Sequence, residues 1–141
     1  MSDYDISRFV VPQQNNYAQA LSEIKAGHKN SHWIWFIFPQ LDGLVRYPSY
    51  YTELYSIKSL DEARAFLADE YLGGNLIEIT TALLDLPTDS PYAVVEGDAV
   101  KVKSCMTLFE LVSEDNSVFS RVLDKYFKGQ RDEKTLKLLG M

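Results

Sequence analysis

The sequence has a single cysteine and no long apolar run, and each of these absences excludes a class of protein. Among its 141 residues, Cys105 has no partner for an internal disulfide, which fits a reducing compartment. The longest apolar run, residues 33–38, is far too short to cross a bilayer. The N-terminus is acidic and lacks an apolar signal core, so we expect no export signal and a cytoplasmic location.

Basic residues are also scarce, which limits the partners that we expect. The 14 lysines and arginines are outnumbered by 20 aspartates and glutamates, and the formal net charge is −6. General nucleic-acid binding requires a broad positive surface, which this charge disfavours. A small local basic patch is still compatible with the composition.

What remains is typical of one folded domain. Hydrophobic residues make up 46% and charged residues 24% of the chain, enough for a single core. Apolar residues at three- and four-residue spacing predict several helices, among them residues 13–26, 98–112 and 117–128. We therefore expect a mainly α protein, a single compact domain over residues 1–141, with about seven helices.

Cap residues predict where some helices begin and end. Gly27 is a natural end for the first long helix. Ser59 and Glu62 form a capping box, in which the Ser59 hydroxyl bonds the backbone of Glu62 and the Glu62 carboxylate reaches back. The glycine pair 73–74 is expected to stop the helix that follows, and Asn75 to cap the next one.

The stretch from Ser31 to Gln40 is the least ordinary part of the sequence. It contains both tryptophans within six consecutive apolar residues, so we expect it to be buried on both sides. Its β-branched and aromatic content favours a minor strand element at residues 32–38, although periodicity alone does not exclude a helical turn there.

This stretch resembles a bacterial family of unknown function, domain of unknown function eighteen-ten, sometimes labelled calpastatin-like. The resemblance extends from Arg8 to Asp132, and residues 31–40 and 103–109 are its most specific parts. Val45 departs from it, since the family usually has glycine there. The resemblance implies a fold but no activity. The calpastatin label does not indicate what this protein does, because calpastatin is a disordered inhibitor and this composition is that of a folded domain.

A fainter resemblance connects the chain to the N-glycosidase superfamily that acts on ADP-ribose-type and riboflavin-intermediate compounds. It rests on residues 17–20 and 106–109. Where that superfamily carries an acidic residue, this chain has Asn15-Asn16-Tyr17. If the protein is an enzyme, this resemblance implies hydrolysis of an N-glycosidic bond.

Both histidines lie at the entrance to the aromatic stretch. His28 and His32 are four residues apart, a spacing that could hold a metal on one helix face. Gly27 indicates that the helix has already ended, and no cysteine pair supports a metal site. We therefore expect no metal and no cofactor. His32 could act as a catalytic acid, base or donor, or could simply close a turn by bonding a carbonyl.

Two groups of residues are candidates for a ligand site. In the first, Lys29 would neutralise phosphate, Trp33 would stack on a ring, and His32 or Gln40 would orient the reacting bond. The simpler alternative for Trp33 is a place in the core.

The second group is Lys103, Ser104 and Thr107. A lysine beside two hydroxyls suits a phosphate or carboxylate, although the hydroxyls could instead bond the preceding helical turn. Cys105 would be a nucleophile only if His32 approached it, and the helical spacing favours a small buried hydrophobe.

Together these residues predict binding of a small anionic, ring-containing ligand, such as a nucleotide or ADP-ribose derivative, in a cleft between residues 32–33 and 103–107. The alternative is a non-catalytic interaction module whose aromatic surface, Tyr47, Tyr50 and Tyr51, meets a protein partner or a second copy of the chain. An enclosed polar pocket at His32 would favour the first, and a flat exposed aromatic patch would favour the second.

Overall fold

The computed structural model describes residues 5–141 and shows helices packed around one apolar core. Residues 1–4, part of the acidic segment behind the expectation of no export signal, lie outside the described residues. The α-helical segments are α1 (Val10–Lys25), α2 (Ile34–Ile37), α3 (Tyr50–Leu54), α4 (Leu60–Ala68), α5 (Glu70–Leu84), α6 (Pro91–Val95), α7 (Ala99–Glu110), α8 (Val118–Phe127) and α9 (Glu133–Leu138). One-turn 3-10 helices at Ile6–Phe9 and Glu96–Asp98 precede α1 and α7.

The mainly α prediction is confirmed. Between residues 5 and 141 there are nine α-helical segments, against about seven predicted, and the short turn α2 lies in the stretch for which a strand was favoured. No helix in this part of the chain is long and apolar enough to cross a membrane.

The centre of the core lies where α7 meets the other long helices. α7 packs against α4, α8 and α9, while α5 packs against α1, α4 and α8. Phe66, Phe109 and Phe119 are fully buried at these crossings. The ring centroids of Phe66 and Phe109 are 5.5 Å apart, and those of Phe109 and Phe119 are 5.9 Å apart. Aromatic contacts of this kind join α4 to the consecutive helices α7 and α8.

The first long helix ends where the sequence predicts. Gly27 has a φ of +86°, which favours glycine because it has no β-carbon. The N–H of His28 donates to the carbonyl of Glu23 at 3.1 Å, and the N–H of Gly27 donates to that of Ile24 at 2.9 Å. These are the two bonds of a Schellman motif, and they turn the chain into the aromatic stretch.

The strand that the composition favoured at residues 32–38 is wrong, and the helical turn that the sequence left open is present. Residues 34–37 form the helical turn α2, and the β pairing in the described chain is one isolated bridge between Leu41 and Ile57. The helical turn satisfies its own backbone, since the N–H of Phe38 donates to the carbonyl of Ile34 at 3.0 Å. A strand would need a neighbour to pair with, and the surrounding helices offer none.

The glycine pair 73–74 does not end a helix, so that prediction is also wrong. The carboxylate of Asp69 accepts the N–H of Leu72 at 2.9 Å and caps α5, and both glycines lie inside this helix. The reason is packing between α4 and α5. A β-carbon at Gly73 would overlap the carbonyl oxygen of Leu67, so only glycine allows the two backbones to come so close.

Polar side chains tie α2 to α1 and α5. The side-chain amide of Gln13 donates to the carbonyl of Phe36 at 2.9 Å, and that of Asn75 donates to the carbonyl oxygen of the Gln13 side chain at 2.9 Å. Asn75 therefore links α5 to α1 and is not the predicted helix cap. Tyr17 adds a bond from its hydroxyl to the Asn75 carbonyl at 3.0 Å.

One of the two hydrogen bonds predicted for the capping box at the start of α4 is present, and the other has a different partner. The Ser59 hydroxyl accepts the N–H of Glu62 at 3.1 Å. The Glu62 carboxylate accepts the N–H of Lys58 at 2.7 Å, one residue before the expected partner. It also accepts two bonds from the guanidinium of Arg8, at 2.8 and 3.1 Å, which connects the start of the described chain to α4.

Candidate functional site

The loop between α1 and α2 is built around the carboxylate of Glu23, which is only 8% exposed. It accepts the backbone N–H groups of Asn30 and Ser31 at 2.6 and 2.9 Å. It also accepts the Ser31 hydroxyl at 2.6 Å and the indole N–H of Trp33 at 3.0 Å. Burial alone would raise the pKa of Glu23, but these bonds and one from Gln19 outweigh it and lower that pKa to about 2. Glu23 is therefore ionised at neutral pH.

Trp33 and Lys29, two predicted ligand residues, are engaged in contacts within the protein. Trp33 is fully buried, so its ring packs in the core. The Nζ of Lys29 lies 5.1 Å from the Trp33 ring centroid and 3.0 Å from Oδ2 of Asp98. Burial raises the pKa of Asp98, but hydrogen bonds from Lys101 and Lys29 outweigh it, and the pKa lies below its ordinary value. Lys29 therefore has its charge already balanced.

His32 lines an open depression of about 280 Å³ together with Lys29 and Glu96, and it is exposed. His28 lies nearby, with Nδ1 2.9 Å from Oδ1 of Asn30 and Nε2 3.2 Å from Oε1 of Glu96. These two contacts, the Asn30 bond first, raise the pKa of His28. Among residues 5–141, no three His, Cys, Asp or Glu side chains are arranged to hold a metal.

The hydroxyls of Ser104 and Thr107 form bonds inside the fold. Both residues are buried. Ser104 donates to the carbonyl of Val100 at 3.1 Å, and Thr107 donates to that of Lys103 at 2.8 Å. The Thr107 oxygen also accepts the N–H of Asp132 at 2.9 Å, so it fixes the approach to α9. Both hydroxyls therefore bond the preceding helical turn, which was the alternative to a ligand-binding role.

Lys103 lies where two adjoining depressions of about 710 and 290 Å³ meet, and we call them together the Lys103 groove. The lysines that line it are Lys103, Lys128 and Lys134. None of the three forms an ion pair with any described residue. The fourth basic residue, Arg131, is held by Glu110 and lies 3.6 Å from Asp124. The three lysines are therefore the available cations of the groove.

Apolar and aromatic side chains line the smaller part of the Lys103 groove. Tyr92 is 64% exposed and Val100 is 59% exposed, and Phe127 contributes a partly buried ring. The side-chain amide of Gln130 forms no hydrogen bond within residues 5–141. The groove thus combines cations, a free amide and an exposed ring.

Gln40 lines a third and more enclosed site, a pocket of about 90 Å³ beside the loop 41–48, which we call the Gln40 pocket. Trp35, Leu41 and Tyr55 are among its apolar lining residues, and Glu53 lies at the same site. Tyr51 extends this aromatic group, with its ring centroid 5.3 Å from that of Trp35.

The structure does not bring the predicted site residues into one cleft. Lys29 and His32 line one depression, Gln40 lines a second, and Lys103 lines a third. Cys105 is buried, and burial raises the pKa of its thiol, which disfavours a nucleophile there.

Sequence reasoning missed Glu23 and the basic segment at residues 128–134. A signal existed for each. Glu23 follows Gln19 by four residues and precedes the apolar Ile24. Its carboxylate therefore lies beside the buried face of α1, where it needs hydrogen-bond donors. The segment 128–134 contains three basic residues out of seven, directly after the apolar stripe of a predicted helix.

Comparison with known proteins supports the resemblance at residues 31–40. A family model described as "Protein of unknown function (DUF1810)" matches residues 3–139. The crystal structure of the conserved hypothetical protein Rv1873 from Mycobacterium tuberculosis is similar, with a TM-score of 0.93 and 37% sequence identity over 99% of each chain. No curated protein matches, and the resemblance to N-glycosidases stays a prediction. The chain belongs to the DUF1810 family of proteins of unknown function.

Proposed function

We propose that the protein binds a small anionic, ring-containing ligand, of the nucleotide or ADP-ribose class, in the Lys103 groove. The observation that carries this proposal is a set of three lysines that form no ion pair with any residue from 5 to 141, gathered in a chain whose net charge is −6. Lysines that form no ion pair with a described residue favour an anionic ligand, because a bound anion would provide that partner.

The acidic residues of the groove offset only part of this charge, because two carboxylates line it together with three lysines that form no ion pair among the described residues. Asp132 and Glu133 line the larger depression, but the carboxylate of Asp132 is engaged as a helix cap. It accepts the N–H of Thr135 at 3.0 Å and the Thr135 hydroxyl at 2.5 Å. Lys103, Lys128 and Lys134 remain to meet phosphate or carboxylate oxygens with charge-assisted hydrogen bonds.

The ring of the ligand is inferred from the apolar and aromatic lining of the smaller depression. An exposed tyrosine ring is suited to stack on a planar group, and Tyr92 presents one beside Val100 and Phe127. The free amide of Gln130 would hydrogen-bond the polar edge of that group. A nucleotide has both a phosphate for the lysines and a planar ring for Tyr92, so it matches this lining.

Hydrolysis of an N-glycosidic bond remains an expectation from the fainter resemblance. The predicted catalytic residues His32 and Gln40 line other depressions, and Asp132 caps α9, so within the groove the Glu133 carboxylate would have to serve as the catalytic acid or base. We propose binding as the function and place the reaction second. We also propose a bacterial, cytoplasmic setting, which rests on the family resemblance and the buried single thiol of Cys105.

The test compares ligand binding by the wild type and by Lys103→Ala. Calorimetric titration measures the affinity for ADP-ribose, AMP, inorganic phosphate and the neutral nucleoside adenosine. In a separate thermal unfolding experiment, the anions are expected to raise the melting temperature. Lys103→Ala is expected to weaken binding about tenfold, the loss of one charge-assisted hydrogen bond.

Lys25→Ala is the matched control, because Lys25 is an exposed lysine on α1 that lines neither part of the groove and forms no ion pair with the described residues. It should bind as the wild type does. His32→Ala should also leave the affinity unchanged. A wild type that binds none of the anions, or a Lys103→Ala variant with full affinity, would overturn the proposal.

A second candidate, the non-catalytic interaction module, is favoured by one observation. Tyr47 and Tyr50 are 81% and 73% exposed, and Arg46 lies 5.4 Å from the Tyr47 ring centroid with no acidic partner in the described chain. A patch with both an unpaired cation and open aromatic faces is complementary to itself. A second copy of the chain is therefore the partner that this candidate predicts.

Sedimentation over a range of concentrations tests this candidate. A dimer that Tyr50→Ser dissociates, and that Tyr71→Ser on α5 leaves intact, would support it. Tyr71 is a fitting control because it is also an exposed tyrosine. A monomer at every concentration would exclude self-association through this patch.

A further inference from the structure

We propose that the Gln40 pocket is a second binding site, and that it takes a monovalent cationic group, a guanidinium or an alkylammonium, carried on an apolar stem. The site is separate from the Lys103 groove and does not depend on the function proposed there. Three features of the pocket carry the inference: its aromatic walls, its unbalanced negative charge and its size.

The walls suit a cation. Trp35 and Tyr55 both line the pocket, and Tyr51 packs against both, with ring centroids 5.3 Å from Trp35 and 6.3 Å from Tyr55. Aromatic faces attract cations through their quadrupole, and the attraction grows when the site is shielded from water. Leu41 and Leu44 add apolar surface, which would cover a hydrocarbon stem.

The charges at the pocket leave one negative charge unbalanced. Asp42 is compensated, since its Oδ1 lies 3.4 Å from the Nζ of Lys58 and accepts the Ser56 hydroxyl at 2.9 Å. The Glu53 carboxylate, by contrast, forms no hydrogen bond or ion pair within residues 5–141. A bound cation would supply the missing partner.

Gln40 provides a neutral acceptor at the same site. Its backbone carbonyl is used by the N–H of Ile57, at 2.7 Å, while its side-chain amide has no partner in the part of the chain that the structure describes. The amide oxygen can therefore accept an N–H of a guanidinium or ammonium group, and this gives Gln40 a binding role in place of the predicted catalytic one.

The size of the pocket limits the ligand. At about 90 Å³, it is well below the roughly 300–1,000 Å³ of pockets that hold drug-sized molecules. It suits the end of one basic side chain, or a small free amine or guanidine. A nucleotide would not fit, which separates this site from the Lys103 groove.

An NMR titration tests the proposal with butylguanidinium and its neutral counterpart of the same shape, butylurea. The indole N–H of Trp35 and the side-chain amide of Gln40 report on the pocket, and the buried indole of Trp33 is the internal reference. Butylguanidinium is expected to shift the first two signals and to bind about tenfold more tightly than butylurea.

The variant Glu53→Gln removes the unbalanced charge and should reduce the affinity for butylguanidinium about tenfold. Glu114→Gln is the matched control, since Glu114 is an exposed acid in the turn after α7, and it should bind as the wild type does. Equal binding of butylurea and butylguanidinium, or unshifted Trp35 and Gln40 signals, would overturn the proposal.

A capped arginine, N-acetyl-arginine N-methylamide, distinguishes the two sources of the cation. Tighter binding of the capped arginine than of butylguanidinium would support a site for a basic side chain of a peptide, aided by the tyrosines beside the pocket. Tighter binding of butylguanidinium would support a site for a small free guanidine.

Discussion

Glu23 is a buried carboxylate whose charge is stabilised without a cation. Within residues 5–141 it forms no ion pair, and its oxygens receive N–H and O–H donors from Asn30, Ser31, Trp33 and Gln19. Sequence patterns show that an acid lies beside an apolar helix face. They do not show its donors, because these come from a loop whose conformation depends on the same bonds.

Glu23→Gln is expected to lower the free energy of unfolding by about 2 kcal/mol, since hydrogen bonds to a charged group are replaced by weaker ones and an amide N–H₂ meets other donors. Urea denaturation at neutral pH measures the change. Glu114→Gln, in an exposed turn, is the control and should change the stability by less than about 0.5 kcal/mol. Equal losses in the two variants would contradict the role of Glu23.

The same carboxylate predicts a dependence on pH. Its folded-state pKa of about 2 lies below its ordinary value of 4.5, so ionisation favours the folded state. The stabilisation is complete above the unfolded-state pKa and is lost as the pH falls through the folded-state pKa. The stability difference between the wild type and Glu23→Gln should therefore shrink on acidification through this range. A difference that stays constant would contradict the low pKa.

At the scale of elements, the long helices could be predicted because their signals are local. The periodic apolar residues and the glycine at position 27 identify α1 without reference to the rest of the chain. Residues 34–37 could not be predicted in this way, because an apolar run carries no period, and its backbone is decided by which neighbours are available. The pair 73–74 failed for a related reason: its glycines serve the crossing of α4 and α5, a contact that sequence spacing does not record.

The two neighbouring glycines of α5 allow a matched experiment. Gly73→Ala is expected to destabilise the protein by about 3 kcal/mol or more, because the new methyl group would overlap the Leu67 carbonyl and force α4 and α5 apart. At Gly74 a β-carbon meets nothing within 4 Å, so Gly74→Ala should stabilise the helix by about 0.5–1 kcal/mol. Thermal or urea unfolding measures both. Effects of the same sign would show that the helix crossing is not the reason for Gly73.

At the scale of the whole molecule, charge is distributed unevenly, and this limits what the sequence reveals of the site. Lys103 was identified as a candidate from its own helix. Its fellow cations Lys128 and Lys134 come from a segment more than twenty residues later, and only the packing of α7 against α8 and α9 brings them together. The predicted residues at positions 29–33 lie elsewhere because Glu23 and Asp98 hold that loop.

Arg8 connects the start of the described chain to the bundle. Its guanidinium bonds the carbonyls of Leu54 and Ser56, both at 2.8 Å, as well as the fully buried carboxylate of Glu62. Arg8→Met would leave that carboxylate without a counter-charge, and we expect a loss of about 3–5 kcal/mol in the free energy of unfolding.

Arg64→Met is the control for this prediction. Arg64 pairs with Asp61 at 2.8 Å, but both side chains are more than half exposed, so removing the pair should cost about 1 kcal/mol at most. Chemical denaturation of the two variants under identical conditions gives the comparison. Similar losses would show that burial of Glu62 does not determine the effect.

Two hydrogen bonds close the base of the segment from residue 42 to residue 56. The N–H of Ile57 donates to the carbonyl of Gln40 at 2.7 Å, and the N–H of Asp42 donates to that of Ile57 at 2.8 Å. The chain therefore leaves and re-enters the bundle at one point, and residues 45–50 between these bonds are exposed. Exposed loops whose ends lie close together often tolerate insertions. We therefore expect that a reporter peptide inserted at Tyr47, which is 81% exposed, leaves the packing of the long helices unchanged.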